Sequence, residues 1–424
     1  MRKNIYDKDF GYNILKPIVD WNLKHSYRKV EVRGKENIPS DGAVIIAPNH
    51  CNTLMDALVI LRAFDDETVF GARADMFNNP FIAKLMYFIR ILPMVRQRDG
   101  LRNVLKNYET QEIIVDTLKN KVRFCMFPEG RHRPAHSLQI LGKGTFRAAL
   151  AANAEFGESK PVYIVPTGIE YGDYFRYRST SLVTFGKPIN VTETVKELNL
   201  DNEAQIMDHL RKELTAKMSE LITYIDYDDD YAPKWALTKV RALDFKGSLY
   251  EKMMNNRSIV AEIEKACEEN PEQMQELFAK VNAFEKERHK KGVSIYSFGK
   301  KNPVLNVIVK GLAAILGLPY LIFSGVVALP MWAIAEFLRK KIRDKAFRNT
   351  AIFGVKLVGN IIFGIIYTIL AFCLLPWPWA LAFLALAGPA YSYIYDYAEF
   401  FRRWISDINL LKAKKLNKMF EALK

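Results

Sequence analysis

Two long apolar blocks in the C-terminal third of the chain most constrain how it can fold. Residues 304–338 and 351–395 are almost entirely apolar, and each block exceeds the roughly 20 residues that span a bilayer as a helix. Prolines interrupt both, at Pro319 and Pro330 in the first block and in "PWPW" in the second. We therefore predict a membrane region over residues 303–424 in which each block folds as a helical hairpin, with a re-entrant or tilted segment as the alternative for the first.

Basic residues flank both blocks, in "FGKK" before the first, "RKKIRDKAFR" between them, and "FRRW" and "KAKK" after the second. Lys and Arg concentrate on the cytoplasmic side of membrane proteins, and two hairpins would place every one of these flanks on that side. We therefore predict an integral membrane protein whose other residues face the cytoplasm. The formal net charge of +14 favours an anionic partner, which includes a phospholipid membrane, a nucleic acid or a small phosphate compound.

The chain ahead of the membrane region divides into three segments. Residues 1–27 carry scattered apolar positions and Trp21, and we predict an amphipathic helix at the membrane surface. Residues 28–225 alternate apolar stretches such as "GAVIIAP" and "VYIVPTGIEY" with helical patterns, which predicts an α/β domain with a mostly buried sheet flanked by helices. Residues 226–302 are charge-rich and helical in pattern, and we interpret them as a solvated helical connector.

The segment "APNHCNTLMD" places His50 at the end of a predicted buried strand and Asp56 in the first turn of a predicted helix. A carboxylate in contact with an imidazole fixes the tautomer of the ring and stabilises its protonated form. This pair is therefore suited to removing a proton from a substrate hydroxyl. Cys51 adjoins His50, but no separate group activates its thiol, and we interpret it as a small packed residue rather than a nucleophile.

A second motif, "MFPEGRHRP", follows another predicted strand and contains Glu129 and Gly130 ahead of Arg131 and Arg133. Arginine recognises phosphate through two parallel hydrogen bonds, so this motif is typical of a site for a phosphorylated substrate. Glu129 has two interpretations: it contributes to binding of the substrate, or it braces the site by accepting backbone amides.

These motifs together resemble the PlsC-like glycerolipid acyltransferases over roughly residues 30–190. The family's NH-x4-D block is matched by Asn49, His50 and Asp56, and its FPEG block by residues 127–130. The segments "LPMVR", "VPTGI" and "LGKGT" are similar to further family blocks. Five residues separate the histidine from the aspartate here instead of four, a spacing that resembles the fungal glycerol-3-phosphate acyltransferases.

The resemblance implies roles for individual residues. His50 would be the general base, oriented by Asp56, and Arg96 of "LPMVR" would bind the acceptor phosphate, with an exposed basic loop as the alternative for that segment. Lys143 would lie near a phosphate of the acceptor or the donor. The sequence reads "GRHR" where bacterial members usually read "GTRS", so both arginines of that string stay candidates for acceptor binding.

The implied activity is transfer of a fatty acyl group from acyl-CoA or acyl carrier protein to glycerol-3-phosphate or 1-acylglycerol-3-phosphate, in phospholipid biosynthesis. We expect no metal and no cofactor, because a thioester is already activated and the four cysteines lack metal-ligand spacing. Two alternatives stay open: a hydrolase that uses the same pair to activate water, and a catalytically silent membrane lipid-binding protein. A nucleic-acid partner is not expected, since the sequence has no base-reading motif.

Overall fold

The computed structural model of the chain describes residues 4–94, 104–200 and 202–424. It divides into two compact units. The first comprises Met1–Phe175 and Ser179–Ile222, and the second comprises Arg176–Arg178 and Thr223–Lys424.

The first unit is built on a mixed sheet in the order β1-β7-β6-β2-β5-β3-β4, with β8 pairing to β6. Five consecutive strands of this sheet are parallel to one another, in the order β6-β2-β5-β3-β4. Strands β7 and β8 both run antiparallel to β6. The strands are β1 Lys29–Arg33, β2 Ala43–Pro48, β3 Thr68–Arg73, β4 Ile91–Met94, β5 Arg123–Cys125, β6 Val162–Tyr171, β7 Thr180–Phe185 and β8 Ile189–Asn190. The helices are α1 Phe10–Ser26, α2 Leu54–Arg62, α3 Pro80–Phe88, α4 Val104–Lys119, α5 Gly144–Phe156, α6 Val191–Leu198 and α7 Glu203–Ser219.

The central strands explain why the sheet forms where the apolar stretches lie. All six residues of β2 are buried, as expected for a parallel strand covered on both faces. Ile45 of β2 and Phe124 of β5 are fully buried and pack with Phe146 of α5 and Leu210 of α7 in one core. The predicted α/β architecture with a buried sheet and flanking helices is confirmed.

The second unit is helical throughout its described elements. Helices α8, α9 and α10 share a core with the C-terminal helix α14, in which Phe284, Phe298 and Phe420 are in ring contact. The charged segment interpreted as a solvated connector therefore contributes buried apolar side chains to this core. The helices are α8 Tyr231–Arg241, α9 Leu249–Glu269, α10 Pro271–Lys290, α11 Pro303–Lys341, α12 Lys345–Leu374, α13 Trp377–Lys412 and α14 Lys414–Glu421.

Two of the described helices, α11 and α12, are long and apolar enough to cross a membrane. Only 22% and 11% of their most apolar windows are buried within the protein, so these helices direct most of their apolar side chains outward. The core helix of a water-soluble protein would bury such side chains. The expected helical C-terminal region with apolar spans is thus present.

The hairpin predicted for the first apolar block is wrong. Helix α11 runs without a break from Pro303 to Lys341 and contains both Pro319 and Pro330. Packing against α12 and α13 allows a long helix to keep its course past two prolines. The second block does break, because α12 ends at Leu374 and α13 begins at Trp377. The basic residues before and after α11 lie at opposite ends of one helix. The prediction that all basic flanks lie on the same side of the membrane therefore does not apply to α11.

Candidate active site

Three neighbouring strands bring the predicted motifs to one edge of the sheet. Strand β2 lies between β5 and β6, and all three run parallel, so their carboxyl ends meet at the same edge. His50 follows the end of β2, the FPEG motif follows the end of β5, and Tyr171 is the last residue of β6. Ligands of parallel sheets bind at this edge because strand-to-helix loops open there.

The structure places His50 and Asp56 in direct contact. Nδ1 of His50 lies 2.7 Å from Oδ2 of Asp56, and the Asp56 side chain is fully buried. A carboxylate can only accept this hydrogen bond, so Nδ1 carries the proton and Nε2 of the neutral ring is left as the acceptor. The His50 side chain is 17% exposed, and no residue within the described ranges hydrogen-bonds to Nε2. The ring can therefore take a proton from a group that enters the site.

The turn between the two residues accommodates the five-residue spacing. The backbone amides of Cys51 and Asn52 donate to Oδ2 of Asp56, at 2.8 and 2.7 Å. Thr53, just before α2, has a φ of 48°, a backbone conformation that costs energy for a β-branched residue. The extra residue is thus taken up by a tight turn that wraps its amides around the carboxylate and keeps the histidine in reach.

Tyr171 completes the surroundings of Asp56, and the sequence analysis missed it. Its hydroxyl donates to Oδ1 of Asp56 at 2.8 Å. Burial and the neighbouring Asp56 charge raise the pKa of Tyr171 well above its usual value, so the hydroxyl stays a donor. Asn49 fixes the strand pairing nearby, since its amide side chain exchanges hydrogen bonds with both backbone groups of Ile169 at 2.6 and 3.1 Å. The sequence offered only a weak signal for Tyr171, its place at the end of the predicted strand "VYIVPTGIEY".

Two aromatic rings contact the imidazole of His50. The ring of Phe127 stacks on the imidazole, with centroids 4.3 Å apart. The ring of His132 approaches edge-on, with centroids 5.7 Å apart. The stacked phenyl ring restricts rotation of the imidazole and holds it in the plane that Asp56 requires.

Glu129 braces the loop that carries His50. One carboxylate oxygen accepts the backbone amide of His50 at 2.9 Å, and the other accepts the backbone and side-chain amides of Gln139 at 3.1 and 2.9 Å. Burial raises the pKa of Glu129 above its ordinary value, and these hydrogen bonds oppose that rise. These contacts match the bracing interpretation of Glu129. Gly130 follows with a φ of 66°, the left-handed turn that returns the chain toward the site.

The structure separates the two candidate arginines. The Arg133 guanidinium donates to Ser137 Oγ at 3.1 Å and to the Leu138 carbonyl at 2.8 Å, and its backbone amide donates to the His50 carbonyl at 2.9 Å. Arg131 is exposed, and no described side chain pairs with its guanidinium. Arg131 is therefore the arginine that remains accessible to a ligand.

The remaining predicted site residues differ in their exposure to solvent, and one lies outside the described residues. Lys143 is exposed immediately before α5. Arg96 lies outside the described residues. Cys51 is buried beside Asp56, and burial with that carboxylate raises the pKa of its thiol well above the usual value. Within the described ranges, no group of three or more His, Cys, Asp or Glu residues is arranged to hold a metal ion.

Comparisons with known proteins identify the domain that carries this site. Residues 29–170 match the family model described as Acyltransferase, which confirms the resemblance predicted from the motifs. Glycerol-3-phosphate O-acyltransferase 2 of Saccharomyces cerevisiae is 28% identical over 139 residues, which cover 33% of this chain and 18% of that protein. An uncharacterised protein of Mycobacterium tuberculosis is 40% identical over 154 residues, covering 34% of this chain and 39% of that protein.

Among solved structures, the 1-acyl-sn-glycerophosphate (LPA) acyltransferase PlsC from Thermotoga maritima is similar, with 20% identity and a TM-score of 0.36. That similarity covers 52% of this chain and 83% of the bacterial enzyme. The chain spans less than half the length of the two curated relatives described above. The similarity to each of those relatives covers about a third of this chain.

Proposed function

We propose that the protein transfers a fatty acyl group from acyl-CoA or acyl carrier protein to a phosphorylated glycerol. The match of residues 29–170 to the acyltransferase family model supports this proposal. Glycerol-3-phosphate and 1-acylglycerol-3-phosphate are the proposed acceptors, and phospholipid biosynthesis is the proposed setting. The observation that carries the proposal is the 2.7 Å contact between His50 and the buried Asp56. It supports a general base at the edge of the sheet, and exposed Arg131 lies in the loop that follows β5 at that edge.

The proposed reaction uses the two nitrogens of His50 in different ways. Nε2 accepts the proton of the acceptor hydroxyl while the oxygen of that hydroxyl attacks the thioester carbonyl carbon. Asp56 stabilises the imidazolium that forms, because its carboxylate accepts from Nδ1. The carbon–sulfur bond then breaks, and the proton on Nε2 passes to the departing thiolate. The products are an ester and a free thiol.

The acceptor phosphate is proposed to bind to Arg131, with Arg96 and Lys143 as further cations. A guanidinium recognises a phosphate through two parallel hydrogen bonds and so limits the orientations of the bound glycerol. Holding the hydroxyl close to Nε2 of His50 converts a collision between two molecules into a reaction within one complex, which lowers the barrier by several kcal/mol. Glu129 is proposed to position the His50 loop in support of this complex.

The proposed location is an integral membrane protein whose catalytic domain faces the cytoplasm. The outward-facing apolar surfaces of α11 and α12 support a membrane location. The soluble acyl donors are proposed to reach the site from the cytoplasm. A cysteine at exposed Glu197, in a variant without Cys267 and Cys373, tests the orientation. An impermeant thiol reagent should label it only after cell lysis, and labelling in intact cells would place the domain on the opposite side.

The decisive experiment offers labelled acyl-CoA and acyl carrier protein to membranes that contain the protein. The acceptor panel comprises glycerol-3-phosphate, 1-acylglycerol-3-phosphate and water alone, with the His50→Ala variant as the control. Label that enters a glycerol phosphate product only with active protein supports the proposal. Release of free fatty acid without any acylated product would instead identify a hydrolase, and the absence of both products would identify a lipid-binding protein.

A further inference from the structure

Helix α3 leaves a strongly apolar side uncovered. None of its residues is buried, and five large apolar side chains are exposed along its nine residues: Phe81, Ile82, Leu85, Tyr87 and Phe88. Phe81 alone keeps 77% of its surface exposed. Water-soluble surfaces seldom carry so many neighbouring large apolar groups without a partner. This short helix therefore has a surface whose partner lies outside the described contacts.

The spacing of these residues defines one side of the helix. Phe81, Leu85 and Phe88 are four and three residues apart, so they align along one face. We call this the α3 stripe. Ile82 and Lys84 border it, and Lys84 is the one charged residue between Pro80 and Phe88. An aromatic and aliphatic stripe bordered by lysine is the pattern of helices that lie in the interface of a bilayer, where the stem of lysine reaches toward the head groups.

A second apolar feature of the first unit adjoins the end of α3. The ring of Phe88 lies directly beside Gly11, at the start of α1. The preceding residue, Phe10, is 82% exposed. Exposed aromatic side chains therefore continue from the last turn of α3 to the first turn of α1.

The topology also places the start of α3 on the edge that holds His50. Strand β3 runs parallel to β2 through β5, so the chain leaves β3 at the carboxyl edge and enters α3 from there. Only two residues separate the end of α3 from the start of β4, so Phe88 must lie toward the opposite edge. Phe81 is thus at the end of the helix closer to the candidate active site.

We propose that α3 is an interfacial helix, which inserts the α3 stripe into the head-group region of a lipid bilayer. The same chain contains two helices apolar enough to cross a membrane, so the first unit is covalently attached to a membrane-compatible region. The single charge on α3 is positive, which complements anionic lipid head groups. The stripe is also a convex surface, and a convex apolar helix suits insertion between lipids. This contact would bring the candidate site to the surface where lipid substrates reside.

The test measures the environment of the stripe in the full chain. In a variant with Cys267 and Cys373 replaced by serine, Phe81→Cys is labelled with an environment-sensitive fluorophore. The protein is reconstituted at one copy per nanodisc, with anionic phospholipids. Glu197→Cys on α6, also exposed, is the matched control. We expect blue-shifted emission at position 81 and quenching by lipids spin-labelled near the head group, with at least a threefold larger quench than at position 197.

Two results would overturn the proposal. One is a label at position 81 that is as water-exposed and as weakly quenched as the control. The other is protection that occurs only when two copies share a nanodisc, which would identify a second copy of the chain as the partner. Leu85→Cys repeats the measurement on the same stripe if the first variant is unstable. The readout requires no turnover, and the His50→Ala variant should give the same quenching, so failure of the proposed reaction would leave this inference intact.

Discussion

Replacing Tyr171 by phenylalanine removes one hydroxyl that touches Asp56 and leaves the ring in place. The hydroxyl donates to Oδ1 of a fully buried carboxylate at 2.8 Å. A hydrogen bond to a charged group contributes about 1.5–3 kcal/mol. If Asp56 loses this donor, its carboxylate is held less firmly against His50 as the imidazolium forms. At about 1.4 kcal/mol for each factor of ten, kcat/KM should fall by roughly 10- to 150-fold.

The loss should appear in kcat and not in the acceptor KM, because Tyr171 is buried and contacts Asp56, so in the proposed reaction it acts only through Asp56. Burial and the Asp56 charge keep the pKa of Tyr171 well above its usual value. The hydroxyl is therefore protonated throughout the range of about pH 6 to 9, in which free tyrosine is also neutral, and the loss should be constant over that range. The pKa of Tyr171 is higher in the folded protein than in the unfolded chain. Its protonated hydroxyl therefore stabilises the folded state at pH values below the pKa in the unfolded chain, and this stabilisation declines as the pH rises above that value.

The matched control is Tyr163→Phe. Tyr163 lies on the same strand and also donates to an aspartate, Asp41, at 3.2 Å, but that contact is exposed. Steady-state acyl transfer and thermal unfolding should be measured for both variants. A Tyr171→Phe variant with kcat/KM within twofold of the wild type, or no lower than that of the control, would refute the view that this hydroxyl holds Asp56 for catalysis.

Three further predictions concern the same site. His50→Ala should lower acyl transfer by about a hundredfold to ten-thousandfold, the loss typical of removing a general base. Binding of acyl-CoA, measured by equilibrium titration, should be unchanged, and a variant that kept a tenth of the wild-type rate would contradict the role. Arg131→Ala should lower kcat/KM for the acceptor by about 10- to 100-fold with little change in melting temperature. Arg133→Ala should mainly lower the melting temperature, because its side chain holds the following loop. The opposite pattern of effects would exchange the two assignments. Burial raises the pKa of Cys51, so iodoacetamide at pH about 8.5 should modify it only after unfolding, and mass spectrometry that finds native-state labelling would refute this.

The candidate site was predictable where its residues belong to compact motifs. His50 and Asp56 lie within one strand-to-helix segment, and the motif with Glu129 follows a strand that pairs with β2. The catalytic and binding roles of His50, Asp56 and Glu129 stay predictions. Tyr171 was not predictable in the same way, since it lies 115 residues from Asp56 and a tyrosine at a strand end has no chemical signature of its own.

The two apolar blocks of the second unit were also predictable only in part. Their hydropathy predicted membrane-compatible helices, because the length of an apolar run is a local property. Their prolines suggested a turn in each block, yet α11 continues through Pro319 and Pro330 while the chain breaks between α12 and α13. Proline removes one backbone donor wherever it occurs, and whether a helix tolerates that loss depends on the neighbours that pack against it.

The sequence by itself determined which segments are buried strands, which are apolar helices, and which short motifs carry the histidine, the carboxylates and the arginines of the candidate site. These properties follow from the order of side chains along a few turns or strands. Only the tertiary structure decided that Tyr171 completes the Asp56 site, that Arg133 is occupied while Arg131 is exposed, and that the α3 stripe is uncovered. The physical reason is that hydrogen bonding and burial depend on distances between residues far apart in the chain, which strand order and register set.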